Sequence, residues 1–449
     1  MDKIQEAIRR ARDTKALEIG TGAISRTGEM FRSLFEDSVA VVIADTNTFA
    51  AAGEKTIKAL EDAGVKMQEP FIFDDPELYA EWSYLIKLEE HLKASDAVAV
   101  AVGSGVINDL VKLASEHLGR RYIIVGTAAS MDGYTAYGAS ITKDGNKQTF
   151  DCKAPLGAVI EPEISAKAPK ELSASGYADL IAKVPAAAEW MIADALDVEK
   201  IDEFAYSLLH DNLKDSLSKP QEVYDDDVDA TKLLAEGLIM SGFAMQAMNS
   251  SRPASGMEHQ FSHYWDMEGL CHEGKHVSHG FKVGIGTLVS TACLEFILDY
   301  DIESIDIEEC VSKWPSWEQM QEDIHKVFEG KPGHLARALS ESAGKYIGHE
   351  ALRQQLHLLK KVWPELRQRM KAQIYSFDHV YDCLKKVGAP YEPEMIGLTR
   401  AKLMDTFSGI PYMRSRYTVI DLIQRCGLME HVTSALFGPG GRWDVQISV

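Results

Sequence analysis

Five of the fourteen histidines of the chain lie in one stretch, residues 250–286. His259 and His263 are four residues apart, so on a helix their imidazoles lie one above the other on the same face. His279 precedes a run rich in Val and Ile that predicts the start of another helix. Imidazoles from two separate helices can share a metal ion and leave a coordination position open for substrate. The alternative is that these histidines are structural.

Asp179 is the candidate carboxylate for the same site. It lies about one turn into a predicted helix, residues 176–196, whose other residues are mostly apolar. A buried carboxylate is costly unless it is paired or bound to a metal. Together with His259 and His279 it forms a donor set that suits Zn²⁺, Ni²⁺ or Fe²⁺, and the spacing does not choose among them. We therefore expect one divalent metal ion at these three residues.

A glycine-rich turn is the first candidate for cofactor binding. It follows a predicted buried strand, residues 97–102, and opens a predicted helix, residues 106–118. Backbone amides and the amino end of a helix can bind a pyrophosphate in this arrangement. The turn departs from GxGxxG at Asn108 and follows a later strand than in the usual dinucleotide fold, so a tight structural turn is the alternative. The candidate contact residues are Gly103, Ser104, Gly105 and, within the helix, Asp109.

Polar residues follow two other predicted strands. Asp45 comes after the strand at residues 39–44, where its carboxylate could accept a hydrogen bond from a ribose hydroxyl and would favour NAD over NADP; alternatively, it caps the next helix. Thr127 and Ser130 are small hydroxyl residues that let the chain pass close to a cofactor. Asp132 beyond them could accept hydrogen bonds from substrate hydroxyls. The alternative for this segment is a polar loop rich in turn residues.

The elements that must position these residues fall into two regions. Apolar runs alternate with helical patterns up to about Pro162, which is typical of a parallel, doubly wound sheet. Beyond that point the strand signals stop and helical patterns follow. We predict an α/β amino-terminal domain over residues 1–162 and an all-α carboxy-terminal domain over residues 163–449. The predicted strands cover residues 17–20, 39–44, 71–73, 97–102 and 122–125, and the helices of the second region cover 176–196, 201–217, 231–248, 279–300, 317–328, 333–345, 351–384, 400–407 and 417–427.

Composition limits the possible partners of the 449-residue chain. Its formal net charge of −21 argues against nucleic acid and against an anionic membrane surface. No stretch reaches the roughly 18 apolar residues of a membrane span, and the amino terminus lacks the apolar core of a signal peptide. The six scattered cysteines form no CxxC pair, which argues against a zinc ribbon or a disulfide framework. We expect a cytoplasmic protein that forms a homo-oligomer, a dimer or larger.

Several motifs together resemble a known family. Most of the chain is similar to the sn-glycerol-1-phosphate dehydrogenases, within the superfamily of glycerol dehydrogenases, iron-containing alcohol dehydrogenases and dehydroquinate synthases. The segment around His259 is specific, whereas the glycine turn is not. The motifs are GSGVINDLVK (103–112), TAASMDG (127–133), SGYADLIAK (175–183), SSRPASGMEHQFSH (250–263), HGFKVGIG (279–286) and PYMRSRYTVIDLI (411–423).

The resemblance implies a dehydroquinate-synthase-like fold: a nucleotide-binding domain, a helical metal-binding domain and an active site in the cleft between them. The implied activity is the reversible reduction of dihydroxyacetone phosphate to sn-glycerol 1-phosphate with NADH or NADPH, in phospholipid metabolism. It implies that Asp179, His259 and His279 hold Zn²⁺ or Ni²⁺, that Gly103, Ser104 and Gly105 contact the pyrophosphate, that Asp45, Thr127 and Ser130 contact the cofactor, and that Asp132 and His263 contact the substrate.

The chain departs from the family pattern around the expected substrate pocket, so the departures concern the substrate more than the metal. Met131 stands where the family more often has His, Phe281-Lys282 replaces Glu-Gln, and Val184-Pro185 replaces Tyr-Thr. His276, three residues before His279, is an alternative metal ligand.

The expected mechanism leaves some roles open. His263 or a water would relay the proton, and Arg252 and Lys282 are candidates for the substrate phosphate. The alternative functions are a dehydrogenase of another short polyol or sugar-derived alcohol, and a dehydroquinate-synthase-like lyase that shows no net redox change. A binding protein on an enzyme scaffold is a third hypothesis, against which the Asp/His/His set argues.

Overall fold

A computed structural model describes residues 3–446 of the chain. Its main sheet has six strands in the order β1-β8-β5-β4-β2-β3, and each neighbouring pair is parallel. The inner strands are continuous apolar runs because the sheet is covered on both faces, as the sequence predicts. The strands are β1 (Ala16–Ile19), β2 (Ala40–Asp45), β3 (Phe71–Phe73), β4 (Val98–Gly103), β5 (Ile123–Gly126), β6 (Ala139–Lys143), β7 (Asn146–Phe150), β8 (Gly157–Ile160), β9 (Cys271–His272) and β10 (Lys275–His276).

The pairing register brings three strand ends to one edge of the sheet. Gly103 of β4 pairs with Gly126 of β5, and Ile43 near the end of β2 pairs with Ala101 of β4. The segments that follow β2, β4 and β5 therefore leave the sheet at the same edge. In open parallel sheets this is the edge at which ligands bind.

Helices make up most of the remaining structure. The helices are α1 (Lys3–Arg10), α2 (Thr27–Phe35), α3 (Thr46–Thr48), α4 (Glu54–Asp62), α5 (Trp82–Lys93), α6 (Gly105–His117), α7 (Pro162–Ser165), α8 (Lys170–Ile181), α9 (Lys183–Ala195), α10 (Glu203–His210), α11 (Leu213–Ser216), α12 (Pro220–Tyr224), α13 (Val228–Met248), α14 (Met257–Met267), α15 (His279–Asp299), α16 (Ile307–Lys313), α17 (Trp317–Val327), α18 (Pro332–Lys345), α19 (His349–Gln373), α20 (Phe377–Val387), α21 (Arg400–Gly409), α22 (Val419–Arg425) and α23 (Met429–Phe437).

The predicted fold class is confirmed, with corrections to its elements. The strand β8 and the antiparallel hairpin β6–β7 were not predicted. The expectation of no strands beyond Pro162 is wrong for the two-residue hairpin β9–β10, whose turn, Glu273-Gly274, has two residues with positive φ. Such a turn favours tight antiparallel pairing even in a helical region.

Two predicted helices are interrupted for identifiable reasons. The helix expected at residues 176–196 breaks between α8 and α9, because Pro185 has no N–H to continue the helical ladder. The helix expected at 351–384 breaks between α19 and α20. There, the backbone N–H of Phe377 donates to Glu295 Oε1 at 2.8 Å, which satisfies an amide at the start of α20.

The chain divides into two compact units, and each unit is built from segments that are not consecutive in the sequence. One unit comprises residues up to Leu180, Glu203–Pro253 and Lys386–Ala389, and contains the six-stranded sheet. The other comprises Ile181–Asp202, Ala254–Lys385 and the segment from Pro390 onward, and is mainly helical. The assignment of a nucleotide-binding domain to residues 1–162 and a metal-binding domain to 163–449 stays a prediction.

The helix α15 is long and apolar enough, by length and composition alone, to cross a membrane. However, 83% of its most apolar 18-residue window is buried inside the protein. Burial explains its apolar composition, as in the core helix of a globular protein.

Candidate metal centre

The helices α14 and α15 carry the two candidate imidazole ligands. His259 lies in the first turn of α14, and His279 is the first residue of α15. The two helices approach closely at Gly286, where a Cβ would lie 2.4 Å from the backbone oxygen of Glu258. Only glycine allows this approach, which sets the ring centroids of His259 and His279 5.3 Å apart.

Asp179 is fully buried in α8. One turn earlier on the same helix, a Cβ at Gly176 would lie 1.9 Å from the backbone oxygen of Ala129, so glycine lets α8 pack directly on the loop after β5. That loop contributes the backbone N–H of Asp132, which donates to Asp179 Oδ2 at 3.1 Å. The carboxylate is thereby oriented by the segment predicted to contact cofactor and substrate.

The structure brings Asp179, His259 and His279 together. One ligand atom from each residue can be chosen so that all three lie within 4.8 Å of one another, which is close enough for them to converge on one cation. A buried carboxylate with two imidazoles fits a divalent metal by its donor chemistry. The alternative ligand, His276, lies exposed on β10 with Nδ1 3.4 Å from Cys271 Sγ and is outside the group. Metal binding by the three residues stays a prediction.

Both imidazoles are held through their Nδ1 atoms. His259 Nδ1 lies 2.9 Å from Glu258 Oε1, and His279 Nδ1 lies 3.2 Å from Ser262 Oγ. In metal sites the nitrogen that does not bind the ion commonly donates a hydrogen bond that fixes the ring. A metal ion bound by these residues would then face Nε2 of each ring. Neither Glu258 nor Ser262 is predicted from the sequence, although Glu258 is adjacent to His259 and Ser262 lies one helical turn after it.

His263 lies one turn after His259, with a ring-centroid distance of 6.5 Å between them. Burial lowers the pKa of His263 well below 6.5, the positive charges of Arg414 and Arg337 act in the same direction, and Asp266 opposes them. The imidazole is therefore neutral near pH 7. A neutral ring can still accept a proton at one nitrogen while donating from the other.

The candidate residues for cofactor binding lie at the sheet edge described above. Gly105 is the first residue of α6, and the side chain of Ser104 makes no capping hydrogen bond to that helix. The first amides of α6 can therefore meet a pyrophosphate, so this turn fits the cofactor that its sequence suggests. Thr127 and Ser130 follow β5 and are buried. Asp132 receives a hydrogen bond from Ser241 Oγ at 2.8 Å.

Asp109 and Asn108 have structural partners. The Asp109 carboxylate accepts the backbone N–H of Ser140 at 3.1 Å and lies 4.0 Å from Lys112 Nζ. Burial raises the pKa of Asp109, and the Lys112 charge opposes that effect. Asn108, which replaces the third glycine of the dinucleotide pattern, accepts a hydrogen bond from Tyr122 Oη at 3.0 Å. The Asp109–Ser140 contact anchors the β6–β7 hairpin to α6, and a cofactor contact by Asp109 stays a prediction.

Asp45 performs the alternative role considered from the sequence. Its Oδ1 accepts the backbone N–H groups of Asn47 and Thr48 at 2.8 and 2.9 Å, and the Thr48 hydroxyl accepts the Asp45 N–H at 3.0 Å. This is a capping box at the start of α3. A contact of Asp45 with a ribose stays a prediction.

Lys282 and Arg252, the two side chains predicted from the sequence to bind a substrate phosphate, are both buried. Lys282 forms a buried ion pair with Asp266, and Arg252 is fully buried. Neither Arg337 nor Arg414 is predicted as a site residue from the sequence, although the charges of both act on His263. Arg337 Nε donates to the Met413 backbone oxygen at 3.2 Å, and within residues 3–446 no carboxylate lies within 4.0 Å of its guanidinium.

Comparisons with known proteins address the family. Residues 18–169 match the model of the iron-containing alcohol dehydrogenases. The glycerol-1-phosphate dehydrogenase [NAD(P)+] of Halalkalibacterium halodurans is 32% identical over 280 residues, which are 62% of this chain and 69% of that protein. The enzyme of the same name from Methanothermobacter thermautotrophicus is 32% identical over 270 residues, 60% of this chain and 75% of that protein. The chain belongs to the glycerol-1-phosphate dehydrogenase family.

Solved structures support the fold of this family member. A probable glycerol dehydrogenase from Sinorhizobium meliloti has a TM-score of 0.59 at 14% identity, with 94% of this chain and 97% of that chain covered. An NADH-dependent butanol dehydrogenase from Thermotoga maritima has a TM-score of 0.57 at 15% identity, with 92% and 96% covered. At these identities the likeness concerns the fold alone.

Several residues at which this family member departs from the glycerol-1-phosphate dehydrogenase pattern make contacts that the structure defines. Met131 Sδ accepts the backbone N–H of Gly133, and the Met131 side chain would be 3.3 Å from a Cβ at Gly105. Lys282 pairs with Asp266, and Pro185 produces the break between α8 and α9. The Met131 side chain therefore packs against the glycine turn, and the charge of Lys282 is neutralised by Asp266.

Proposed function

We propose that the protein is a metal-dependent, NAD(P)H-linked dehydrogenase that reversibly reduces dihydroxyacetone phosphate to sn-glycerol 1-phosphate. One observation carries the proposal: the grouped Asp179, His259 and His279 in a member of the glycerol-1-phosphate dehydrogenase family. Zn²⁺ or Ni²⁺ suits this donor set, and Fe²⁺ is a further candidate. Both NAD and NADP remain candidate cofactors, as in the names of the relatives.

In this mechanism the bound cation would act as a Lewis acid on the substrate carbonyl, and the nicotinamide would supply hydride. Asp179 and the two imidazoles would hold the cation, and Glu258 and Ser262 would orient the imidazoles through Nδ1. Asp132 would accept a hydrogen bond from a substrate hydroxyl. His263, neutral near pH 7, would pass a proton between solvent and substrate by accepting at one ring nitrogen and donating at the other.

Arg337 and Arg414 are our candidates for the substrate phosphate. A guanidinium presents paired N–H donors that match phosphate oxygens. Both charges act on His263, which follows the candidate ligand His259 by one helical turn, so they belong to the same surroundings. Arg414 is also held by Ser255 Oγ at 2.9 Å, at the segment that leads into α14. A local basic group of this kind can bind an anionic substrate despite the net charge of the chain.

The setting of the enzyme is also part of the proposal. We place it in the cytoplasm and in phospholipid metabolism, as a homo-oligomer whose partners are small molecules. These assignments extend the sequence-based expectations, and size-exclusion chromatography with light scattering would test the oligomeric state.

The substrate can be tested by following NADH and NADPH absorbance with the purified, metal-loaded protein. Dihydroxyacetone phosphate, dihydroxyacetone and other short ketones would be compared with Zn²⁺ and with Ni²⁺. We expect oxidation of the nicotinamide with dihydroxyacetone phosphate and formation of the sn-1 product, checked by a stereospecific assay. A higher rate with an unphosphorylated ketone would favour a polyol dehydrogenase, and nucleotide binding without net oxidation with any ketone would favour the lyase alternative.

A further inference from the structure

Glu258 is a fully buried carboxylate immediately before the candidate ligand His259. Its Oε1 accepts the Gly256 backbone N–H at 2.5 Å and lies 2.9 Å from His259 Nδ1. With Nδ1 held in this contact, Nε2 is the ring atom that would donate a lone pair to a metal ion.

Two glycines pack closely against Glu258. On one side, the backbone of Glu258 lies against Gly286 of α15, where a Cβ would be 2.4 Å from its carbonyl oxygen. On the other, a Cβ at Gly256 would lie 2.9 Å from Glu258 Oε2 and 2.1 Å from Glu189 Oε2. Glycines at these two positions therefore allow α15 to approach the Glu258 backbone and residue 256 to approach its carboxyl group.

A second buried carboxylate lies beside the first. Glu189 accepts the backbone N–H of Met257 at 2.8 Å and the hydroxyl of Ser290 at 2.9 Å. Glu258 Oε2 is buried and has no hydrogen-bond partner within residues 3–446. The two carboxyl groups therefore lie together at the start of α14, both next to Gly256.

We propose that Glu258 is a positioning residue for the metal centre: it fixes the ring and the tautomer of His259, and its buried charge strengthens the binding of the divalent cation. The inference rests on the proposed metal site and adds to it a residue that does not touch the ion. Carboxylates that accept a hydrogen bond from a metal-bound imidazole typically contribute about 10- to 100-fold to metal affinity.

The test compares Glu258→Gln with the wild-type protein after removal of metal. Glutamine keeps the size and the acceptor oxygen but removes the charge. Titration with Zn²⁺ against a chelator of known affinity should show binding that is about 10- to 100-fold weaker. Thermal unfolding without metal should show a midpoint equal to or above that of the wild type, because the variant buries one charge fewer. Only the increase in midpoint on adding Zn²⁺ should shrink.

Glu189→Gln is the matched control, because it removes a second buried carboxylate whose hydrogen-bond donors named above are an amide and a hydroxyl rather than an imidazole. We expect this control to retain Zn²⁺ affinity within about threefold, well below the effect of a carboxylate that orients a ligand. Equal weakening in both variants would mean that general negative charge, not positioning, is responsible, and would overturn the proposal.

Two other results would overturn it. One is wild-type Zn²⁺ affinity in Glu258→Gln. The other is an equal loss of thermal stability with and without metal, which would mean that Glu258 has only a structural role. A wild-type protein that binds no divalent cation would instead contradict the proposed metal site itself, and this outcome is visible before any variant is made.

Discussion

Replacing Gly286 by Ala should weaken metal binding although residue 286 is not a proposed ligand. Gly286 lies two turns after His279 on α15, and a Cβ there would be 2.4 Å from the backbone oxygen of Glu258 and 3.0 Å from its Cα. Both neighbours are backbone atoms of α14, so no side chain can rotate away. The two helices would have to separate, and His259 would move with α14.

The size of the effect follows from these distances. A relaxed carbon–oxygen contact needs about 3.4 Å, so the helices must separate by about 1 Å. Metal–ligand distances tolerate only about 0.2 Å. Overpacking of this kind costs about 1–3 kcal/mol of folding free energy, and each kcal/mol lowers the melting temperature by roughly 2–4 °C for a unit of this size. We expect Zn²⁺ affinity to fall by about tenfold or more, since metal donors must hold their geometry closely.

Chelator competition and thermal unfolding would measure the two effects on the same preparation. Gly333→Ala is the control, because a Cβ there would meet only the end of the Met267 side chain, at 3.8 Å. It should leave Zn²⁺ affinity unchanged. A Gly286→Ala protein that binds Zn²⁺ as the wild type does would refute the argument that this helix contact sets the ligand geometry.

Three further predictions concern single side chains. Burial lowers the pKa of His210 from 6.5 to about 3, so the native state cannot take up the proton that the unfolded chain binds below pH 6.5, and stability is lost as the pH falls from 6.5 towards 3. His210→Phe should remove up to about 1.4 kcal/mol of the loss between pH 7.5 and 5.5 in urea unfolding, and an unchanged pH slope would contradict this. Lys112→Met removes three hydrogen bonds from a buried ammonium to backbone oxygens, of 2.9, 2.9 and 3.0 Å, and should lower the free energy of unfolding by about 3–5 kcal/mol; a loss under about 1 kcal/mol would show that these bonds are replaced. Arg337→Met should raise KM for dihydroxyacetone phosphate about 10- to 100-fold without a matching change for dihydroxyacetone, and equal changes for both ketones would argue against a phosphate contact.

The grouping of the candidate ligands could be predicted from the sequence because residue types and their positions on predicted helices indicate it. His259 and His279 lie at helix starts that are visible as breaks in apolar runs, and Asp179 is a lone acid in an apolar helix. Glu258 could not be found in this way, because consecutive side chains on a helix do not usually face each other, and only the structure shows its Oε1 2.9 Å from His259 Nδ1.

The fold class could also be predicted, whereas several local features could not. Continuous apolar runs identified β2, β4 and β5, whereas β8 was missed because its four residues begin with Gly157 and follow an unpredicted hairpin. Asp45 illustrates a different difficulty, since ribose binding and helix capping both favour Asp after a strand. The structure assigns its Oδ1 to capping, which no pattern in a single sequence could decide.

The metal content of the purified protein tests the central claim most directly. Elemental analysis would compare the wild type with Asp179→Ala, His259→Ala and His279→Ala, and with His276→Ala as a matched control outside the group. We expect about one divalent metal ion per chain in the wild type and in the control, and little or none in the three ligand variants. Full occupancy in all three ligand variants would contradict the account.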